Sequence, residues 1–258
     1  MGHFFRMMIR FLGMMVVMMT GTMAGSLEEM KAEVHEKEGK SLPFRWTKVG
    51  ESEEPALVLF LHGAGERGSD NKAQLKHGVA DLLKWISAND ESAVVLAPQC
   101  EPGVWWADLR GDGRSAKGGD LAKEPSAMMR LGFEVMDRLV REQKVDRSRI
   151  YVTGLSMGGF GCFAAVARRP DGFAAAIPVC GGGDPKTAAQ MKGVPFRVFH
   201  GEVDEVVPLQ ASRVMVEALE EVKADVKLKI YAGVGHDSWT ATYEDAAVWK
   251  WLFSQKKE

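Results

Sequence analysis

Ile150-Tyr151-Val152-Thr153-Gly154-Leu155-Ser156-Met157-Gly158 is the stretch whose reading decides the fold. Four residues rich in β-formers lead into a glycine-flanked serine, and an Ala-rich segment follows, so the stretch reads as strand, tight turn, helix. A Cβ at Gly154 or Gly158 would collide with neighbouring backbone, which explains glycine on both sides of the turn. The turn lifts Ser156 above the sheet edge. The first free N–H groups of the new helix, beginning with Met157, then face any negative charge that develops beside the hydroxyl. A Gly-x-Ser-x-Gly match is short and common, and the strand before and helix after it are what give it weight.

Outward from this centre the chain alternates strands and helices. Ala56–Leu61, Ala93–Ala97, Ala174–Cys180 and Phe196–His200 are apolar with little alternation, as in strands covered on both faces. Phe44–Val49 alternates and reads as a half-buried edge strand, and Val226–Tyr231 as an outer one. Helical spacing marks the stretches around Leu82–Ile86, Met128–Val140, Ala211–Val222 and Val248–Phe253. Ser26 to Lys40 is polar and charge-dense and is expected to be a solvated helix or a mobile lead-in. Gln99 to Glu124 is a long loop carrying Trp105 and Trp106 near its start. The expected architecture is a mostly parallel central sheet with helices on both faces, its ligand site beyond the carboxyl ends of the strands.

The chain of 258 residues, 46% hydrophobic, suffices for one sizeable core. Residues 1–24 read separately: Arg6 and Arg10 precede an apolar run from Phe11 to Met19, and small residues follow to Ala24. This is the pattern of a secretory signal peptide, with an uncut membrane anchor as the alternative, and it leaves residues 25–258 as one catalytic domain in a secreted or periplasmic protein. The run is short for a bilayer span, which takes about 20 apolar residues. Removing the leader takes the formal charge from −2 to −4, which gives no electrostatic case for binding nucleic acid. Three cysteines, Cys100, Cys162 and Cys180, leave at least one thiol free, and Cys162 falls inside the apolar helix after Ser156 as a buried structural thiol. No histidine and cysteine spacing matches a metal site, and no cofactor is implied.

The chemistry-bearing residues fall at strand ends. Ser156, Asp204 and His236 each follow a strand, in the order nucleophile, acid, histidine, and a parallel sheet opens all its strand ends onto one edge. His236 is suited to take the Ser156 proton and return it to a leaving group, with Asp204 orienting the imidazole. Asp237, next to His236, is expected to cap a helix. His62 and His200 also follow strands and are read as structural, bonded to loop backbone beneath the site; His35 and His77 look like surface or helix residues. His62-Gly63-Ala64-Gly65 stands where a second oxyanion donor belongs, with Ala64 preferred and Gly63 or Gly65 as alternates. Glu66–Arg67 and Ser69–Asp70–Asn71 are expected to shape that loop by ion pairing and turn hydrogen bonds. Trp105 and Trp106 would wall an acyl or aromatic subsite or pack beneath the loop. The loops after Cys180 and Val203 are expected to complete the pocket.

Leu61–Gly68, Gly154–Gly159, His200–Asp204 and Gly235–Trp239 together resemble the alpha/beta-hydrolase superfamily. Within it they are similar to the bacterial secreted esterases of the phospholipase/carboxylesterase and dienelactone-hydrolase-like group, which includes proteins labelled as peptidases. The resemblance implies Ser156, Asp204 and His236 as a triad, with Asp204 preferred over the flanking Glu202 and Glu205. It also implies the Met157 and Ala64 N–H groups as the oxyanion hole. Dienelactone hydrolase uses a cysteine where this chain has Ser156, which sets that substrate apart. The expected activity is hydrolysis of small-molecule carboxylic esters through an acyl-enzyme. A peptidase or thioesterase on the same fold, or a non-catalytic binding protein, are the alternatives.

Overall fold

A computed structural model describes residues 25–111, 113–115 and 118–257; the leader read from residues 1–24 lies outside them. The strands are β1 (Lys31–Lys37), β2 (Lys40–Val49), β3 (Ala56–Leu61), β4 (Ala93–Pro98), the short β5 (Leu109–Arg110) and β6 (Asp120–Leu121), β7 (Ile150–Leu155), β8 (Ala175–Val179), β9 (Phe196–Gly201) and β10 (Val226–Tyr231). Eight of them form one sheet in the order β1-β2-β4-β3-β7-β8-β9-β10. From β4 to β10 every neighbouring pair is parallel, while β1 and β2 run antiparallel. The helices are α1 (Val79–Ala88), α2 (Ala127–Glu142), α3 (Met157–Arg168), α4 (Ala188–Met191), α5 (Gln210–Glu221), α6 (Trp239–Tyr243) and α7 (Ala246–Ser254). Among the described residues no helix is long and apolar enough to cross a membrane.

The central strands are apolar throughout because each feeds two cores. In β3, Leu57, Leu59 and Leu61 point to the side packed by α2, α3 and α5, whereas Ala56, Val58 and Phe60 point to the side packed by α1 and α7. A side-chain period of two thus divides one hydrophobic run between two layers. β3 lies between β4 and β7, where the strand order reverses, and the loops leaving β3 and β7 part there to leave a crevice.

The N-terminal segment corrects two sequence expectations. Residues 31–37 form a strand, not a helix or mobile lead-in, and β2 is therefore interior, between β1 and β4. The turn is Glu38-Gly39, both at positive φ (52° and 72°), as a two-residue hairpin requires. The charges that suggested a solvated segment are taken up by α2: Glu33 meets Arg138 at 2.7 Å, and His35 and Lys37 both meet Glu134 at 2.9 Å. A charged outermost strand also discourages pairing with another chain.

Candidate active site

Ser156 occupies the turn between β7 and α3 with φ 51° and ψ −116°, a conformation that costs a non-glycine residue about 1–3 kcal/mol. Its neighbours allow it. A Cβ on Gly154 would come to 2.5 Å from the Leu61 carbonyl oxygen, and one on Gly158 would overlap that same atom. The turn is tied to the sheet through the Ser156 N–H, which donates to Val179 O at 2.9 Å.

Asp204 and His236 are brought together by the two loops that leave β9 and β10. The Val203 N–H donates to Val234 O at 3.0 Å, joining the loops directly. Asp204 is folded over its own turn: Oδ1 accepts from the Val206 and Val207 N–H groups, each at 2.9 Å. Oδ2 is left to face His236 Nδ1 at 2.7 Å, and His236 Nε2 lies 3.0 Å from Ser156 Oγ. The Asp204 side chain is fully buried while that of His236 is 20% exposed, so the imidazole alone of the pair opens to solvent. The three strand-end residues that the resemblance implied as a triad meet within hydrogen-bond reach across as many as 80 positions of sequence. Glu202 and Glu205 are exposed and do not enter this chain. With Nδ1–H given to Asp204, Nε2 is free to accept the Ser156 proton.

The strand-end glycines on the other side of the crevice lead into a 3₁₀ turn over Ala64–Glu66. The Ala64 and Met157 N–H groups have no backbone acceptor among the described residues. One of these donors opens the helix that follows Ser156 and the other opens the turn that follows the neighbouring strand β3, an arrangement able to hold an oxyanion. Glu66 and Arg67 do not pair with each other. Glu66 is buried and faces His77 at 3.6 Å, while Arg67 Nε donates to Ala64 O at 2.9 Å and so fixes the turn through backbone instead. Asp70 makes the expected turn hydrogen bonds, accepting the Lys72 and Ala73 N–H groups, whereas the Asn71 amide donates to Glu33 O and Phe44 O and ties the loop to β1 and β2; both residues also engage Gln99.

His62 and His200 are buried, as expected of structural histidines. His62 Nδ1–H donates to Gly63 O at 2.6 Å and Nε2 accepts the Cys100 N–H at 2.9 Å; burial lowers its pKa to about 4. His200 bonds Val207 O at 2.8 Å through Nε2. Asp237 accepts the Thr240 N–H at 3.1 Å from the position before Ser238, which is the N-cap of α6, so it caps the helix from one residue further out than expected. All three cysteines are free and buried, and burial pushes the Cys100 thiol up to about 12. Donor atoms of Cys180, Asp204 and His236 lie within 4.8 Å of one another, but the Asp204 and His236 atoms already share a proton and burial holds the Cys180 thiol protonated.

The two tryptophans part company. Trp106 is 1% exposed and donates its indole N–H to His62 O at 3.1 Å, so it packs under the loop and does not line the pocket. Trp105 is 47% exposed, lies under the Arg67 guanidinium at 5.7 Å, and walls a cavity of about 590 Å³. Leu109 and Phe160 form further walls, and Phe160 sits one turn along the helix that Ser156 begins. The rest of its lining comes from Gly103, Val104, Ala107–Asp108, Gly111, Gly113–Arg114 and Ser126–Ala127, with no described residue of the loops after Cys180 and Val203. Sequence reading did not single out Trp239, whose ring meets that of His236 edge-on at 5.2 Å. Its place three residues after the histidine was the available signal.

A family model described as Phospholipase/Carboxylesterase matches residues 46–249. A probable carboxylesterase of Oryza sativa subsp. japonica is 27% identical over 192 residues, 69% of this chain and 80% of that protein. Acyl-protein thioesterase 1 of Gibberella zeae is 26% identical over 220 residues, 72% and 86% of the two chains. The crystal structure of a thermostable esterase superposes with a TM-score of 0.80 at 36% identity, over 89% of this chain and 64% of that one.

Proposed function

Because this chain belongs to the phospholipase/carboxylesterase family, with the alpha/beta-hydrolase fold and an esterase's hydrolytic class, we propose that it cleaves small-molecule carboxylic esters by way of a Ser156 acyl-enzyme. What supports the reading is the unbroken path Ser156 Oγ to His236 Nε2 at 3.0 Å and His236 Nδ1 to Asp204 Oδ2 at 2.7 Å. His236 takes the hydroxyl proton as Ser156 attacks the ester carbonyl. The Met157 and Ala64 N–H groups hold the oxyanion, and His236 returns the proton to the departing alcohol. Asp204 stabilises the imidazolium formed at each stage. Water, deprotonated by His236, then attacks the acyl group and regenerates Ser156. Trp105, Leu109 and Phe160 receive the apolar part of the ester.

Ser156→Ala lowers kcat on 4-nitrophenyl acetate by at least about a thousandfold with the fold intact; a variant that keeps a tenth of the wild-type rate removes the nucleophile from its role. The relative named a thioesterase favours thioesters as the second substrate class, and parallel assays of matched oxygen esters and thioesters decide between them. We extend the proposal to export: the basic, then apolar, then small-residue run of residues 1–24 is removed on secretion. The intact mass of protein recovered outside the cytoplasm tests this.

A further inference from the structure

The histidine of the His200-Gly201-Glu202-Val203-Asp204 segment is left without a part in the reaction described above. Its side chain is fully buried, and each ring nitrogen has a definite environment. Nε2 lies 2.8 Å from Val207 O and 3.3 Å from Asp204 Oδ2. A carbonyl and a carboxylate are acceptors only, so Nε2 carries the proton. Nδ1 lies 2.7 Å from Ser212 Oγ, which is itself 2.8 Å from Gly181 O. Burial lowers the pKa of His200, with His236 acting in the same direction and Asp204 against it. The ring is therefore neutral with its proton on Nε2, and the single Ser212 hydroxyl proton lies between Nδ1 and Gly181 O.

We propose that His200 is a positioning residue for the Asp204 carboxylate, its Nε2–H shared between Val207 O and Asp204 Oδ2 so that Oδ2 stays aimed at His236. The arrangement is a closed ring. The Val207 N–H donates to Oδ1, the Val207 carbonyl accepts the His200 N–H, and Nε2 closes the ring through its longer, 3.3 Å contact with Oδ2. Rotation of the carboxylate about its last torsion breaks the ring at two places. A histidine serving the fold alone would be satisfied by Val207 O and would have no need to face the acid.

The inference rests on the esterase reading, and two variants separate positioning from packing. Glutamine places its amide nitrogen near the position of Nε2, and asparagine near that of Nδ1. His200→Asn therefore loses the donor at Asp204 and His200→Gln keeps it. On 4-nitrophenyl acetate, His200→Asn is expected to lower kcat about tenfold or more with KM within about twofold, and His200→Gln to restore kcat to within about threefold of wild type. Equal kcat values for the two variants overturn the proposal. In case the asparagine variant does not fold, ¹⁵N-histidine spectra of the wild-type protein decide independently. The His200 signals, assigned by their absence in His200→Gln, should show a proton on Nε2 and a bare Nδ1 between about pH 6 and 8; the opposite tautomer overturns the proposal. A wild-type protein that hydrolyses no ester sinks the esterase reading, and the spectra still decide this one.

Discussion

His62, at the end of β3, and His236, in the loop after β10, occupy comparable places at the carboxyl edge of the sheet, and both have each ring nitrogen bonded. They differ in what they bond to. His62 gives its proton to a carbonyl and accepts from a peptide N–H, groups that neither gain nor lose a proton near neutral pH. His236 stands between a carboxylate and a hydroxyl, and its side chain is 20% exposed where His62 as a whole is 1% exposed. A strand end is thus a location and not a function. The chemistry of the neighbours on either side of the ring equips one imidazole to pass a proton and fixes the other in place.

Substitutions at the two rings should fall into different classes of effect. His236→Ala is expected to cut ester turnover by at least about a thousandfold, and Asp204→Asn by about a hundredfold to ten-thousandfold, both with wild-type unfolding midpoints. Removal of His62 acts on stability first. His62→Leu leaves the Cys100 N–H and Gly63 O unpaired in the interior, for a loss of about 2–4 kcal/mol in urea unfolding, while turnover falls less than about tenfold. A His62→Leu protein as inactive as His236→Ala would erase the distinction.

The same pair sharpens under acid. The unfolded His62 ring takes its proton near 6.5 and the folded ring at about 4. The unfolded state therefore binds more protons between these values. The stability due to the neutral buried ring is whole above about pH 6.5 and lost as pH falls, amounting to about 3 kcal/mol below pH 4. Unfolding midpoints measured from pH 7 to 4 should fall less steeply for His62→Gln than for wild type; parallel curves would show that the ring is not held neutral.

Those effects also mark how far sequence could reach. The sheet was legible because runs such as Ala56–Leu61 carry no alternation and must be buried on both faces, and the site because one sheet edge collects Ser156, Asp204 and His236. β1 was not legible, since its charges look solvated until Arg138 and Glu134 of α2, about a hundred positions away, are seen to pair with them. The signal available for the hairpin was Gly39, the one residue of its turn that adopts positive φ without cost. Trp105 and Trp106 could not be told apart for a similar reason. Their exposure depends on whether each ring turns toward His62 or toward Arg67, which local spacing does not encode.

The smallest effect expected is at Trp105. Trp105→Ala should raise KM for aryl esters about threefold to tenfold and leave 4-nitrophenyl acetate within about twofold, since an exposed ring contributes contact area and no proton. Equal changes for both substrates would place the apolar part of the ester elsewhere.

The central claim is that Ser156 Oγ is a nucleophile made so by His236. Intact-mass and peptide mass spectrometry after treatment with a fluorophosphonate tests it most directly. One phosphonyl adduct on Ser156 in the wild-type protein, absent from Ser156→Ala and strongly slowed in His236→Ala, is the result expected. Adduct formation on another residue, or at an unchanged rate in His236→Ala, would contradict it.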